Sequence, residues 1–168
     1  MKRILIPVDG SDNAIGAVRH VISRHVEDGN LEVRLLHVRQ PLTRHAARFL
    51  GRGDRMAWHR ERGEAAMARA RALLDKWGVP YSMHVELGDR ARVIDAFARR
   101  HRCQAIVMGA SRESPFLAWL KDSVPARVLE RSELPVELIT GEPPSPLQRY
   151  GLPVGFGLAL ALLVIAEE

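Results

Sequence analysis

The chain has 168 residues, 46% of them hydrophobic and 27% charged, with a formal net charge of +5. That length suits one domain with a single core, and that composition excludes a disordered or fibrous chain. Cys103 is the only cysteine, which excludes an internal disulfide or a two-cysteine zinc knuckle and fits a reducing compartment.

Arginine supplies nearly all of the positive charge, since Lys2, Lys76 and Lys121 are the only lysines. The arginines read as solvated helix faces, without aromatic interleaving or a nucleic-acid-binding module, so no nucleic acid is expected as a partner. Met1-Lys2-Arg3 is followed by an apolar run too short for a signal-peptide core, so folding in the cytoplasm is expected.

In chain order, Ile4 to Val8 is a wholly apolar run, the mark of a strand covered on both faces of a parallel sheet. It ends at Asp9-Gly10-Ser11, where Asp9 or Ser11 can cap the next helix. Ala14, Ala17, Val18, Val21 and Ile22 recur at helical spacing and predict a helix from about Asp12 to Val26, stopped by Glu27-Asp28-Gly29-Asn30. Leu31 to Val38 reads as a second strand. Gln40 to Gly53 has no clean period and reads as a connection. Asp54 then caps a long helix to about Trp77, with Met56, Ala57, Ala65, Ala66, Ala68, Leu73 and Leu74 available for its inner face. Val79 to Leu87 is the third strand, and Gly88-Asp89 opens a helix through Val93, Ile94, Ala96 and Phe97, with Asp89 as its cap. Ala105 to Met108 is the fourth strand, ended by Gly109. After a loop of roughly a dozen residues, Val124 to Arg131 is a helix, and Val136 to Thr140 is the fifth strand. This alternation predicts an α/β fold with an open, doubly wound, Rossmann-like parallel sheet of five strands.

A strand, a glycine and a new helix N-terminus are the parts of a phosphate site. The run Ala105 to Val124 resembles the phosphate loop of the universal stress proteins, Gly-x-x-Gly, nine residues, then Gly-Ser or Gly-Thr. Gly109 falls on the first glycine, Arg112 on the second, Asp122 on the third and Ser123 on the hydroxyl. The Val8-Asp9-Gly10-Ser11 run and the Gly88-Asp89 junction are similar to the family as well, and the resemblance covers about 140 residues. It implies strand order 3-2-1-4-5 and a stress-response module with an adenine-nucleotide site. Pro7, Val8, Asp9, Val38, Met108, Gly109, Arg112, Asp122, Ser123 and Val124 would line that site, Asp9 on the adenosine and Val38 on the adenine, for ATP with Mg²⁺. Similar proteins pair antiparallel through the last strand, so a homodimer through Val136 to Thr140 is expected.

Two of the three family glycines are charged here, and Asp122 would put a carboxylate where a triphosphate lies. Two unit charges 4 Å apart repel by about 1 kcal/mol in water and about 4 at a surface-like dielectric. That corresponds to a few-fold to nearly a thousandfold in affinity. The expectation is a degenerate site with weak or absent ATP binding, Asp122 at the N-cap of the last helix and Arg112 paired with it. The alternatives are an ATP-binding, nucleotide-dependent switch and an ATPase.

The chain shows neither Gly-x-x-x-x-Gly-Lys-Ser/Thr nor Gly-x-Ser-x-Gly, and its seven histidines include no pair at metal-ligand spacing with a nearby acid. No catalytic residue or metal ligand is assigned, and an enzyme is not expected.

Residues 1–141 make the stress-protein domain, 142–150 a proline-rich linker and 151–168 an apolar tail. Gly151 to Ala166 has no charged residue. At 1.5 Å per residue it is about 24 Å as a helix, short of the roughly 30 Å hydrocarbon core. Arg149 and Tyr150 flank it as interface anchors would. The tail is expected to pack on its own domain or swap onto a partner; inner-membrane association is the alternative.

Overall fold

A computed structural model describes residues 1–40, 52–110 and 123–140, with side chains from residue 61 onward in the helix that opens the second of these stretches. The elements are β1 (Lys2–Pro7), α1 (Asp12–Asp28), β2 (Leu31–Arg39), α2 (Arg52–Lys76), β3 (Tyr81–Leu87), α3 (Arg90–Arg100), β4 (Ala105–Ala110), α4 (Val124–Arg131) and β5 (Val136–Thr140). They form an α/β fold around one five-stranded sheet of order β3-β2-β1-β4-β5, every neighbouring pair parallel. The expected order is therefore the observed one.

The alternation along β1 divides the core into two layers. Ile4, Ile6 and Val8 face α1 and α2, with Val18, Val21, Met67 and Leu74. Leu5 faces the other way, with Leu36, Val38, Ile106, Met108 and Phe97, beneath α3 and α4. Successive side chains of a strand point to opposite faces, so an unbroken apolar run is what a sheet covered on both sides requires.

Local chemistry sets the helix ends. Ser11 caps α1, its Oγ accepting the Ala14 N–H at 3.3 Å. α1 runs two residues past the expected stop at Val26 and closes on Gly29, whose φ of 63° suits a residue without Cβ. α2 begins at Arg52, so Asp54 lies inside its first turn rather than at the cap, and Gly53 is helical. The inner face of α2 is Gly63, Met67, Ala70 and Leu74, spaced 4, 3 and 4. Ala65 and Ala68 are exposed, because the stripe that meets the sheet is offset from the one expected. The chain leaves α2 through a Schellman closure, the Gly78 N–H donating to Asp75 O at 3.2 Å and the Val79 N–H to Leu74 O at 3.0 Å. Val79 is thus a buried helix stop, and the third strand starts two residues later, at Tyr81. In α3, Ala96 is exposed, while Ala91, Ile94, Asp95 and Ala98 are buried.

β4 also departs from expectation. It continues through Gly109 to Ala110, Gly109 pairing with Ile139 of β5. Gly109 is extended backbone, not a turn. A Cβ there would strike the backbone of Asn13 and Ala14, where α1 begins. Close approach of a helix to the strand, rather than left-handed geometry, is what calls for glycine here.

Candidate functional site

β1, β2 and β4 end side by side, and β1 lies between neighbours reached by crossovers in opposite directions. Such a switch point leaves a crevice beyond the strand ends. The crevice has a cavity volume of about 90 Å³. Its walls include Pro7 from the end of β1 with Val8 and Asp9 just beyond it, Val38 from β2, Met108 and Gly109 from β4, and Val124 from α4. These seven expected site residues are brought together although they come from four elements.

Ser11, Ala14, Leu36, Arg90, Ile94 and Pro125 complete the lining but were not among the expected residues. Arg90 is the chemically important omission. It opens α3 directly after the Asp89 cap, and the first residue of a helix that follows a strand sits beside the strand ends. The Gly88-Asp89 junction was the available signal.

Val8, Val38 and Met108 are buried, so the inner wall is apolar, whereas Asp9 is exposed at the mouth. Asp9 Oδ1 accepts the Ser11 N–H at 3.0 Å. Burial against the wall pushes the Asp9 carboxyl up. Hydrogen bonds from Ser11 and from its own N–H, with the charge of Arg90, outweigh that and hold it below its ordinary 3.8. Asp9 is therefore an anion at neutral pH, and because Ser11 does the capping it faces the cleft as a hydrogen-bond acceptor. Gly10, with φ at 87°, makes the turn between them.

The end of β2 is tied to the same corner. His37 Nδ1 lies 2.7 Å from Val8 O, and a carbonyl only accepts, so Nδ1 carries the proton. The Val8 N–H donates to Leu36 O at 2.8 Å. On the other side, Asp89 Oδ1 accepts the Arg92 N–H at 3.0 Å and Oδ2 pairs with Arg127 at 2.7 Å, so one carboxylate joins α3 to α4. The backbone bond to Arg92 and the Arg127 contact hold that carboxyl below its ordinary range.

Of the expected phosphate end, the described residues include Gly109, Ser123 and Val124. The N-cap of α4 is Ser123, its Oγ accepting the Ala126 N–H at 3.3 Å, and not Asp122. The hydroxyl sits one residue nearer the helix, in the position that reaches the third N–H. The next residue after Val124 is Pro125, which has no N–H, and the Arg127 N–H goes to Ser123 O at 3.0 Å. Within the first turn this leaves the Val124 N–H for an outside acceptor. Ser123 itself adjoins the cleft rather than lining it. Arg112, Asp122 and their expected pairing lie outside the described residues, as do the linker and tail. Among the described residues, no group of three acidic, histidine or cysteine side chains is placed to hold a metal ion.

The chain is 27% identical to universal stress protein MJ0531 of Methanocaldococcus jannaschii over 144 residues, 82% of this chain and 81% of that one. A universal stress protein family protein from Arabidopsis thaliana, solved with AMP bound, superposes with a TM-score of 0.61 at 19% identity, covering 87% of this chain and 99% of that one. A universal stress protein solved in complex with cAMP gives 0.59 at 17% identity, over 82% and 95%. At those identities the two solved structures show the shared fold. The model of the universal stress protein family matches residues 1–139, and the chain belongs to that family.

Proposed function

We propose that this protein is a dimeric stress-response module whose cleft takes the adenosine part of an adenine nucleotide and holds a triphosphate weakly or not at all. The observation that carries the reading is Asp9, an ionised acceptor at the mouth of a cleft walled by Val8, Val38 and Met108. Apolar walls suit the faces of a flat base, and one fixed carboxylate suits hydroxyl or amino hydrogens. The AMP-bound and cAMP-bound relatives of the same fold support an adenine nucleotide. The weak phosphate end rests on Ser123, Pro125 and Arg127, which leave few donors, and on the charges of Arg112 and Asp122 in the sequence. Nothing in this reading makes the protein an enzyme. Dimerisation is assigned to β5, which ends the sheet and whose outer edge, carrying Val136, Leu138 and Ile139, pairs with no other strand among the described residues.

Calorimetry with AMP, and with ATP and Mg²⁺, tests the site. The expected result is no micromolar binding of ATP by the unmodified protein, and tighter binding once Arg112→Gly and Asp122→Gly are combined. Asp9→Asn in that background should then cost about 1.5–3 kcal/mol, roughly ten- to a hundredfold, as expected for a hydrogen bond to a charged group. Micromolar ATP affinity in the unmodified chain overturns the weak-site reading. Light scattering at tens of micromolar tests the dimer, and a monomer mass overturns it.

A further inference from the structure

A second hollow lies on the opposite layer, between the C-terminal ends of α1 and α2. Its volume is about 440 Å³, larger than that of the nucleotide cleft. Ile22, Val26, Leu73 and Trp77 form its floor and walls, and Arg19 and Glu27 stand on its rim. Trp77 is 52% exposed and Val26 62% exposed. A half-open tryptophan beside a valine, over a buried isoleucine, is an apolar surface that lacks its cover among the described residues.

The sequence contains one stretch suited to cover it. Leu158 to Ala166 reads LALALLVIA, nine residues without a polar side chain, followed by Glu167-Glu168. We propose that this stretch is the occupant, folding back in its own chain onto the groove between α1 and α2. The path is long enough. β5 ends at the cleft side of the sheet, while α1 runs its 17 residues, about 25 Å, to the opposite side where the groove lies. Residues 141–150 contain Pro143, Pro144 and Pro146, and ten extended residues reach about 31 Å. Residues 151–157 remain in reserve. The starting point is also on the right layer, because α1 sits against β5, with Arg24 bonded to Glu137 at 2.8 Å.

Charge fits the same arrangement. Arg19 has no ion-pair partner among the described residues, and the two glutamates follow directly after the apolar run. A tethered segment needs no high affinity, since the linker keeps it at a high effective concentration near the groove.

The test uses the full chain with Trp58→Phe and Trp119→Phe, so that Trp77 alone reports. Its emission should be that of a shielded indole, and Leu162→Glu with Leu163→Glu should shift it to the red and roughly double its quenching by acrylamide. Emission that does not respond to those changes overturns the proposal. A separate variant carries Ser23→Cys and Ala161→Cys, the native Cys103 being buried. On oxidation it should form a disulfide within a single chain. A disulfide found only at dimer mass assigns the groove to a second copy and overturns the intramolecular form. Absence of any cross-link overturns it as well. So does co-sedimentation of the full chain with anionic lipid vesicles while Trp77 stays exposed to quencher, which assigns the tail to a membrane.

Discussion

Two regions of the α3 layer handle polar groups in opposite ways. Along the β3 edge of the sheet, Arg34 Nη1 donates to Ser82 Oγ at 2.7 Å, and Ser82 lies 2.9 Å from His84 Nε2. Arginine only donates, so the serine accepts from it, while the bond between Ser82 and His84 runs in the direction that the imidazole tautomer sets. Arg34 also pairs with Glu32 at 2.7 Å, and Arg100 with Glu86 at 2.5 Å. Phe97 stacks on His101 at 3.9 Å between ring centres and meets His84 edge-on at 4.9 Å. At the carboxyl end, Asp9 has its Ser11 hydrogen bond and an open cleft in front of it. A polar cluster whose members answer one another stabilises a fold. A charge held against an apolar wall, at the mouth of an open cleft, is placed for a ligand.

Three measurements bear on that contrast, the largest effect first. Phe97 is 1% exposed and joins both histidines to the core, so Phe97→Ala should lower unfolding free energy by about 3–5 kcal/mol in denaturant titration. A loss below about 1 kcal/mol would mean that the histidine cluster is surface decoration rather than core.

The second measurement is the pH dependence of stability. Burial, then the neighbouring His101 and Arg34 charges, hold His84 below its ordinary 6.5; burial and Arg100 do the same for His101. Glu86 opposes the shift in each case and is outweighed. Just below pH 6.5 the unfolded chain therefore binds protons that the folded chain does not, and stability rises with pH there. The contribution is complete above 6.5 and fades as pH falls through the lowered values. His84→Gln, which keeps a hydrogen-bonding group for Ser82, should flatten the slope between pH 5 and 7. An unchanged slope would locate the titration elsewhere.

The smallest expected effect is the counterpart in the cleft. Asp9 is exposed, and Asp9→Asn should change stability by no more than about 0.5 kcal/mol while it alters nucleotide binding. A large loss of stability would remove the contrast and make Asp9 a structural residue.

The histidine cluster was illegible beforehand because its members are far apart in the chain and individually ordinary. His84 and His101 each read as a surface or strand-end histidine. Only the pairing of β2 with β3 and the descent of α3 bring them to Phe97 and Arg34. The cleft was far more legible, since Asp9, Gly109 and Val38 stand at strand ends and the family pattern names them. Arg90 escaped because helix-opening residues carry no pattern of their own.

By itself the sequence determined what short-range physics can encode. Apolar runs specified strands covered on both faces, and helical spacing specified α1. Ser11, Asp89 and Gly29 marked helix ends, since a cap acts within three or four residues of itself. Tertiary structure decided whatever depends on a neighbour from elsewhere in the chain. The starting turn of α1, 96 residues earlier, makes glycine necessary at 109 within a strand that does not turn there. Arg127 reaches Asp89 across 38 residues, and Arg24 reaches Glu137 across 113. The choice of Ser123 over Asp122 as the cap of α4 belongs with these, because both residue types satisfy the local rule. What distinguishes them is where the helix begins once Val128 is buried under the sheet. Local patterns carry no information about such distances, which exist only after the chain has closed its sheet.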